Sequence, residues 1–130
     1  TLAPTLQAIA DQANAITVVV RVAAGEDDSA TTANVIGKKD GATYTGMQAL
    51  LVSEAQVGVR PRILGAPGLD TQPVSAALAI VAKKLRAMAY VSCAASASVT
   101  EAVAYREQFS QRELMLRLPA AYTKVALRPS

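Results

Sequence analysis

Three short stretches of this chain hold residue types that could do chemistry. The first is Gly25-Glu26-Asp27-Asp28, which follows an apolar run. Clustered acids there suit a magnesium ion or a phosphoryl group. A phosphoacceptor would also want an acid at another strand end and a lysine near the last strand. Asp70 lies several residues past its strand and Lys124 lies beyond Pro119, so the run reads as a solvated acidic loop. The second stretch is Gly37-Lys38-Lys39. A phosphate-cradling loop needs glycine five positions earlier and a hydroxyl after its lysine, but Thr32 and Lys39 stand there. The third is Gly65-Ala66-Pro67-Gly68-Leu69-Asp70-Thr71. Gly65 and Gly68 permit tight geometry, and Pro67 fixes one dihedral. Asp70 or Thr71 can cap a following helix. Free N–H groups could attract an anion, but Asp70 would bring its own charge to that end. The spacing lacks the G-x-G-x-x-G of a dinucleotide site, so the stretch reads as a structural corner.

The chain contains no histidine. That removes Ser-His-Asp and Cys-His catalysis and zinc-histidine sites. Cys93 then reads as a small buried apolar residue. Tyr90, Tyr105 and Phe109 read as packing residues. Arg60 and Arg62 flank Pro61 at a strand entry, either as solvated edge charges or as contacts for an acidic neighbour. No catalytic, cofactor-binding or metal-ligating residue is expected.

The elements that would position these residues follow from period and punctuation. Leu6, Ile9, Ala10 and Ala13 recur at helical spacing. Residues 16–23 are β-branched and nearly all apolar, which predicts a strand covered on both faces. Residues 25–43 read as a long polar loop. Thr45 and Gln48 have capping-box spacing, and Met47, Leu50 and Leu51 begin a helical face behind them. Residues 62–66 predict a second strand. Val74, Ala77, Leu78, Val81 and Leu85 form a helical stripe that ends in Lys83, Lys84 and Arg86. Residues 88–93 predict a third strand. Ser98 and Glu101 predict a second capping box, opening a helix to about Gln108. Residues 114–118 predict a fourth strand, closed by Pro119. Helices alternating with strands imply parallel pairing. The expected fold is α/β: a three-layer sandwich, with a mostly parallel sheet of about four strands and helices on both faces. One domain is expected over residues 1–119, with an irregular basic tail at 120–130.

Composition bounds the rest. The chain has 130 residues, 52% hydrophobic and 18% charged, which is a globular balance. Aromatics are 4%, so the core must be mainly aliphatic. Thirteen basic against ten acidic residues give +3, with no aromatic stacking platform, so no nucleic-acid partner is expected. A single cysteine excludes an internal disulfide and suits a reducing compartment. No stretch is long and apolar enough for a membrane span, and no secretory signal is read.

Five ordered blocks carry a family resemblance. They include Tyr44-Thr45-Gly46-Met47-Gln48-Ala49-Leu50-Leu51, Gly58-Val59-Arg60-Pro61-Arg62-Ile63-Leu64-Gly65 running on to Gln72, and Lys84-Leu85-Arg86-Ala87-Met88-Ala89-Tyr90-Val91-Ser92. Glu101-Ala102-Val103-Ala104-Tyr105-Arg106-Glu107 with Gln111-Arg112-Glu113-Leu114-Met115 continues the order, and Ala10-Asp11-Gln12-Ala13-Asn14 through Val22 precedes it. Over roughly residues 1–118 the chain resembles the tail sheath proteins of contractile-tailed bacteriophages.

That resemblance implies a virion structural protein, not an enzyme, with no cofactor and no metal. Its partners would be other sheath subunits and the tail-tube protein, in a virion tail assembled in the host cytoplasm. Contraction in such a sheath draws on two sets of subunit contacts and consumes no nucleotide. The match departs from the family at Ser92-Cys93-Ala94, where an aromatic-glycine turn would stand, and after Leu118-Pro119, where Trp-Pro-Asp-Phe would stand. The chain is several times shorter than a whole sheath subunit. It therefore reads as an excised domain or a truncated prophage product, monomeric or weakly self-associating alone. The competing expectation is a flavodoxin-like nucleotide- or phosphate-binding domain that uses residues 65–71 or 26–28.

Overall fold

A computed structural model describes residues 3–93, 96 and 98–118. The tail expected at 120–130, and the Pro119 stop, lie outside the described residues. Helix α1 (Ala3–Gln12) comes first, then α2 (Asp28–Ile36). A two-stranded antiparallel hairpin follows, β1 (Lys39–Asp40) with β2 (Thr43–Tyr44). A 3-10 segment (Gly46–Val52) runs into α3 (Ser53–Val57). The remaining elements are β3 (Ile63–Leu64), α4 (Gln72–Leu85), β4 (Met88–Ser92), α5 (Val99–Arg106) and β5 (Leu114–Arg117). Strands β3, β4 and β5 form a parallel sheet in that order, with Leu64 beside Ala89 and Ala89 beside Leu114.

The core is built on α4. Its stripe of Val74, Leu78, Val81 and Leu85 is buried, and Ser75, Ala79 and Ala82 make a second buried stripe beside it. Small residues on that second stripe let neighbouring elements approach closely. Each large aliphatic side chain so buried contributes about 1.5–3 kcal/mol. α4 packs on β4 along one flank and on α2 and the 3-10 segment along another. Leu64, Ala89, Val91 and Leu114 meet it from the sheet.

Strand order explains which face is covered. The chain steps β3, β4, β5 in one direction across the sheet. Right-handed crossovers repeated in one direction put their helices on the same side. Tyr105 of α5 accordingly packs against the core cluster that α4 builds. Both faces are covered only where the order reverses, and these three strands contain no reversal. Among the described residues the fold is therefore α/β, with three parallel strands in this sheet where about four were expected. Ile63, Tyr90 and Met115 stand exposed on the other face.

Two further expectations are corrected. Residues 16–23 form no strand. They carry no regular structure and Ile16 is 82% exposed, although Val22 packs on the core and Asn34 Nδ2 donates to the Ala23 carbonyl at 3.0 Å. β-Branched side chains favour extended backbone, but a strand also needs a neighbour to share its ladder. The loop expected at 25–43 instead holds α2 and the hairpin. Asp27 caps α2, accepting the Ala30 N–H at 2.6 Å.

Candidate functional site

The carboxyl ends of β3 and β4 are where a parallel sheet ordinarily receives a ligand. The loop after β3 turns through Ala66-Pro67-Gly68-Leu69, closed by the Leu69 N–H on the Ala66 carbonyl at 2.9 Å. Gly68 sits at φ +75°, the conformation that the third position of such a turn requires after a proline. Asp70 does not cap the next helix. Its carboxylate reaches across to accept the backbone N–H of Ser92 at 2.6 Å, at the end of β4. Thr71 is the N-cap of α4 without a side-chain bond. Ser75 donates its hydroxyl back to the Asp70 carbonyl at 3.2 Å.

Cys93 and Tyr105 complete this edge. Cys93 is buried, and desolvation pushes its thiol up. Tyr105 stacks edge-to-face with Phe109, centroids 5.3 Å apart. Burial pushes its phenol up, opposed by the neighbouring Ser75 and reinforced by the Asp70 charge. Its hydroxyl is buried and, among the described residues, has no partner at bonding geometry. The groups gathered here thus close the protein's own backbone. Tyr105 and Phe109 pack as expected, whereas Tyr90 faces outward and is half exposed.

The other sequence candidates fall elsewhere. Asp27 is taken by the α2 cap, and among the described residues no group of three or more acidic or cysteine side chains is placed to hold a metal. Gly37 ends α2 at φ +66°, and Lys39 lies over the Tyr44 ring at 5.3 Å. Thr45 heads the 3-10 segment without capping it; its hydroxyl exchanges hydrogen bonds with Lys38, accepting the N–H at 3.0 Å and donating to the carbonyl at 3.2 Å. Gln48 reaches the Ile36 carbonyl instead of closing a box. The second expected box does form: Glu101 N–H donates to Ser98 Oγ at 3.3 Å, and Ser98 N–H to Glu101 Oε2 at 3.1 Å.

Arg60 and Arg62 do something the sequence reading missed. Arg60 Nε donates to the Leu85 carbonyl and Arg62 Nη1 to the Arg86 carbonyl, each at 3.2 Å. The two guanidinium groups thus satisfy carbonyls at the C-terminal end of α4, where positive charge is favoured. The signal available beforehand was two arginines entering a strand beside the end of a long helix.

By class, then, this is a small parallel α/β module whose polar strand-end groups are engaged in holding its own corner together. No family model matches the chain. It is 50% identical over 126 residues to the tail sheath protein of Escherichia phage P2, covering 92% of this chain and 32% of that protein. It is 48% identical over 127 residues to the major tail sheath protein of Serratia phage KSP20, covering 93% and 32%. A prophage major tail sheath protein of Pseudomonas aeruginosa strain UCBPP-PA14 is 37% identical over 112 residues, covering 85% and 29%. The chain is homologous to a segment of phage tail sheath proteins, as the sequence resemblance indicated. It spans about a third of the length of the curated relatives it matches.

Proposed function

We infer that the chain is a structural domain of a contractile tail sheath. It forms part of the polymer that surrounds a tail tube and shortens during injection. Its partners are other sheath subunits and the tube protein. Its place is the virion tail, after assembly in the host cytoplasm. No residue is catalytic, and no cofactor is required. Residues 1–119 act as one unit, and alone the chain is a truncated portion of such a subunit. The missing layer of the sandwich expected from the sequence is then supplied from outside residues 3–118. The observation carrying this reading is 50% identity to a tail sheath protein across 92% of the chain.

The experiment is a segment exchange. The matching third of the Escherichia phage P2 sheath protein is replaced by residues 1–118 of this chain. Tails with an extended sheath that contracts on triggering are expected by electron microscopy. A soluble, folded chimera that never polymerises on tubes would overturn the reading. The flavodoxin-like alternative is not favoured, because Asp70 is engaged by Ser92 at the loop it would use. Stabilisation of the chain by a nucleotide or FMN in a thermal-shift screen would revive it.

A further inference from the structure

The amino end of the parallel sheet carries concentrated positive charge. The Met88 N–H donates to the Arg62 carbonyl at 2.9 Å and the Ala89 N–H to the Glu113 carbonyl at 2.7 Å, so the entries to β3, β4 and β5 lie side by side. Arg60 and Arg62 stand at the first entry, Arg86 at the second and Arg112 at the third. Lys83 and Lys84 join them from the last turn of α4. All six residues are exposed. Among the described residues the one ion pair is Arg112 with Glu113 at 3.5 Å, so the other five cations have no carboxylate partner there. The C-terminal dipole of α4 offsets only about half a charge.

The rest of the molecule has the opposite charge. Outside residues 60–62, 83–86 and 112–113, the described chain holds five basic residues and nine acidic ones. A basic end on an acidic body is complementary to another copy of itself. We propose that the cationic pole formed by Arg60, Arg62, Lys83, Lys84, Arg86 and Arg112 docks on the acidic body of a second copy, giving head-to-tail association. This deepens the sheath reading, on which it rests, by locating a contact between subunits.

The pole is built to receive carboxylates. Arg60 Nε and Arg62 Nη1 are held on the Leu85 and Arg86 carbonyls at 3.2 Å, which fixes both guanidinium groups and leaves their other N–H donors for a partner. A guanidinium already held in place loses less freedom on binding. No aromatic residue lies among these six cations in the three segments, as a base-stacking platform would require. The acidic body repels the continuous charge of a nucleic acid but attracts the pole of a neighbour. The two contacting surfaces differ, so the contact is heterologous, and each assembly keeps a free pole at one end and a free body at the other. Association therefore propagates instead of stopping at a two-fold dimer. Its charges are exposed and screened by salt, so the contact is weak and salt-sensitive.

The test is sedimentation velocity on the full chain, across a concentration series at low and high salt. Open-ended association is expected at about 50 mM salt and should weaken at least tenfold by about 500 mM. Lys83→Glu with Lys84→Glu should abolish it and Arg112→Glu should weaken it at least tenfold, with circular dichroism unchanged because these residues are exposed. Arg21→Glu with Lys38→Glu makes the same change in net charge on the body and should not weaken it. The chain carrying Lys83→Glu and Lys84→Glu still offers its body, so a labelled sample should cap parent assemblies and shorten them. A strictly monomeric chain at low salt would overturn the proposal. So would association indifferent to salt or to the Lys83 and Lys84 changes, an equal loss from the Arg21 and Lys38 changes, or growth that the pole-reversed chain fails to shorten. Tighter binding of a single-stranded oligonucleotide than of a second copy would also overturn it, and would assign the pole to nucleic acid. The segment exchange reads polymerisation on tubes with these residues unchanged, so the two readings fail separately.

Discussion

The Asp70 carboxylate and the Ser92 backbone N–H meet at 2.6 Å, joining the loop after β3 to the end of β4. They lie 22 positions apart in the chain, and most of the intervening stretch is α4. The bond sets the distance between neighbouring strand ends, where a parallel ladder is running out of partners. It also spends the one carboxylate that the loop carries.

Removing that acceptor should be costly. Hydrogen bonds to a charged partner contribute about 1.5–3 kcal/mol, and Asp70→Ala should lose an amount in that range. Asp70→Asn keeps an acceptor and should lose about half. Urea denaturation of the two variants measures both. Equal stability of Asp70→Ala and the parent would show that the bond carries no weight.

Gly37 and Gly46 should tolerate no side chain. A Cβ on Gly37 would strike the Thr45 carbonyl, and one on Gly46 would lie 2.5 Å from the Asn34 carbonyl, at positive φ in each case. Backbone on both sides cannot give way cheaply, so alanine at either position should cost more than about 3 kcal/mol. Gly58 is the control. It sits at φ +75° with nothing within 4 Å of the added carbon, so Gly58→Ala should cost only about 1 kcal/mol. Thermal melts of the three variants give the ranking.

Arg86 closes α4 in the left-handed conformation at φ +53°, with the Ala87 N–H on the Ala82 carbonyl at 2.8 Å. Glycine is the residue suited to that position. Arg86→Gly should raise stability by about 0.5–1 kcal/mol, since the carbonyl that Arg62 uses is retained. A lower melting temperature would contradict this.

Tyr105→Phe should be neutral or stabilising by about 1 kcal/mol. Among the described residues the buried hydroxyl has no partner at full bonding geometry, although the neighbouring Ser75 partly offsets its burial, so its removal relieves most of the cost of burying it. The stacking on Phe109 is kept. A loss of more than about 1 kcal/mol by denaturation would reveal a hydrogen bond at this site.

Stability should fall in alkali. Burial raises both the Cys93 thiol and the Tyr105 phenol above their ordinary values. The unfolded chain therefore releases these protons first. The favourable contribution is whole below the unfolded values and is lost as pH rises, from about 8.5 for the thiol and about 10 for the phenol. Denaturation midpoints across pH 7–11 should decline, and Cys93→Ala combined with Tyr105→Phe should flatten the decline. Native Cys93 should also resist alkylation at neutral pH until the chain unfolds.

Much of this molecule was written in its residue order. The α4 stripe, the helix at Ala3–Gln12, the Ser98–Glu101 box, the strands at 63, 88 and 114 and the aliphatic core follow from local spacing. Local rules suffice there because caps, turns and amphipathic stripes involve residues within a few positions of each other. The relation to tail sheath proteins was equally legible, in ordered blocks rather than in any site.

Only the tertiary structure decided the rest. Residues 16–23 have the composition of a buried strand but run unpaired, because a ladder is a property of two segments and not of one. Thr45 and Gln48 have box spacing, yet Lys38 and Ile36 offered their side chains other partners. Spacing offers Asp70 or Thr71 as a helix cap, yet Asp70 is a strand clamp; it offers Arg60 and Arg62 as edge charges or contacts for an acidic neighbour, yet they terminate α4. The uncovered face depends on the direction in which three strands follow one another, which no local window contains.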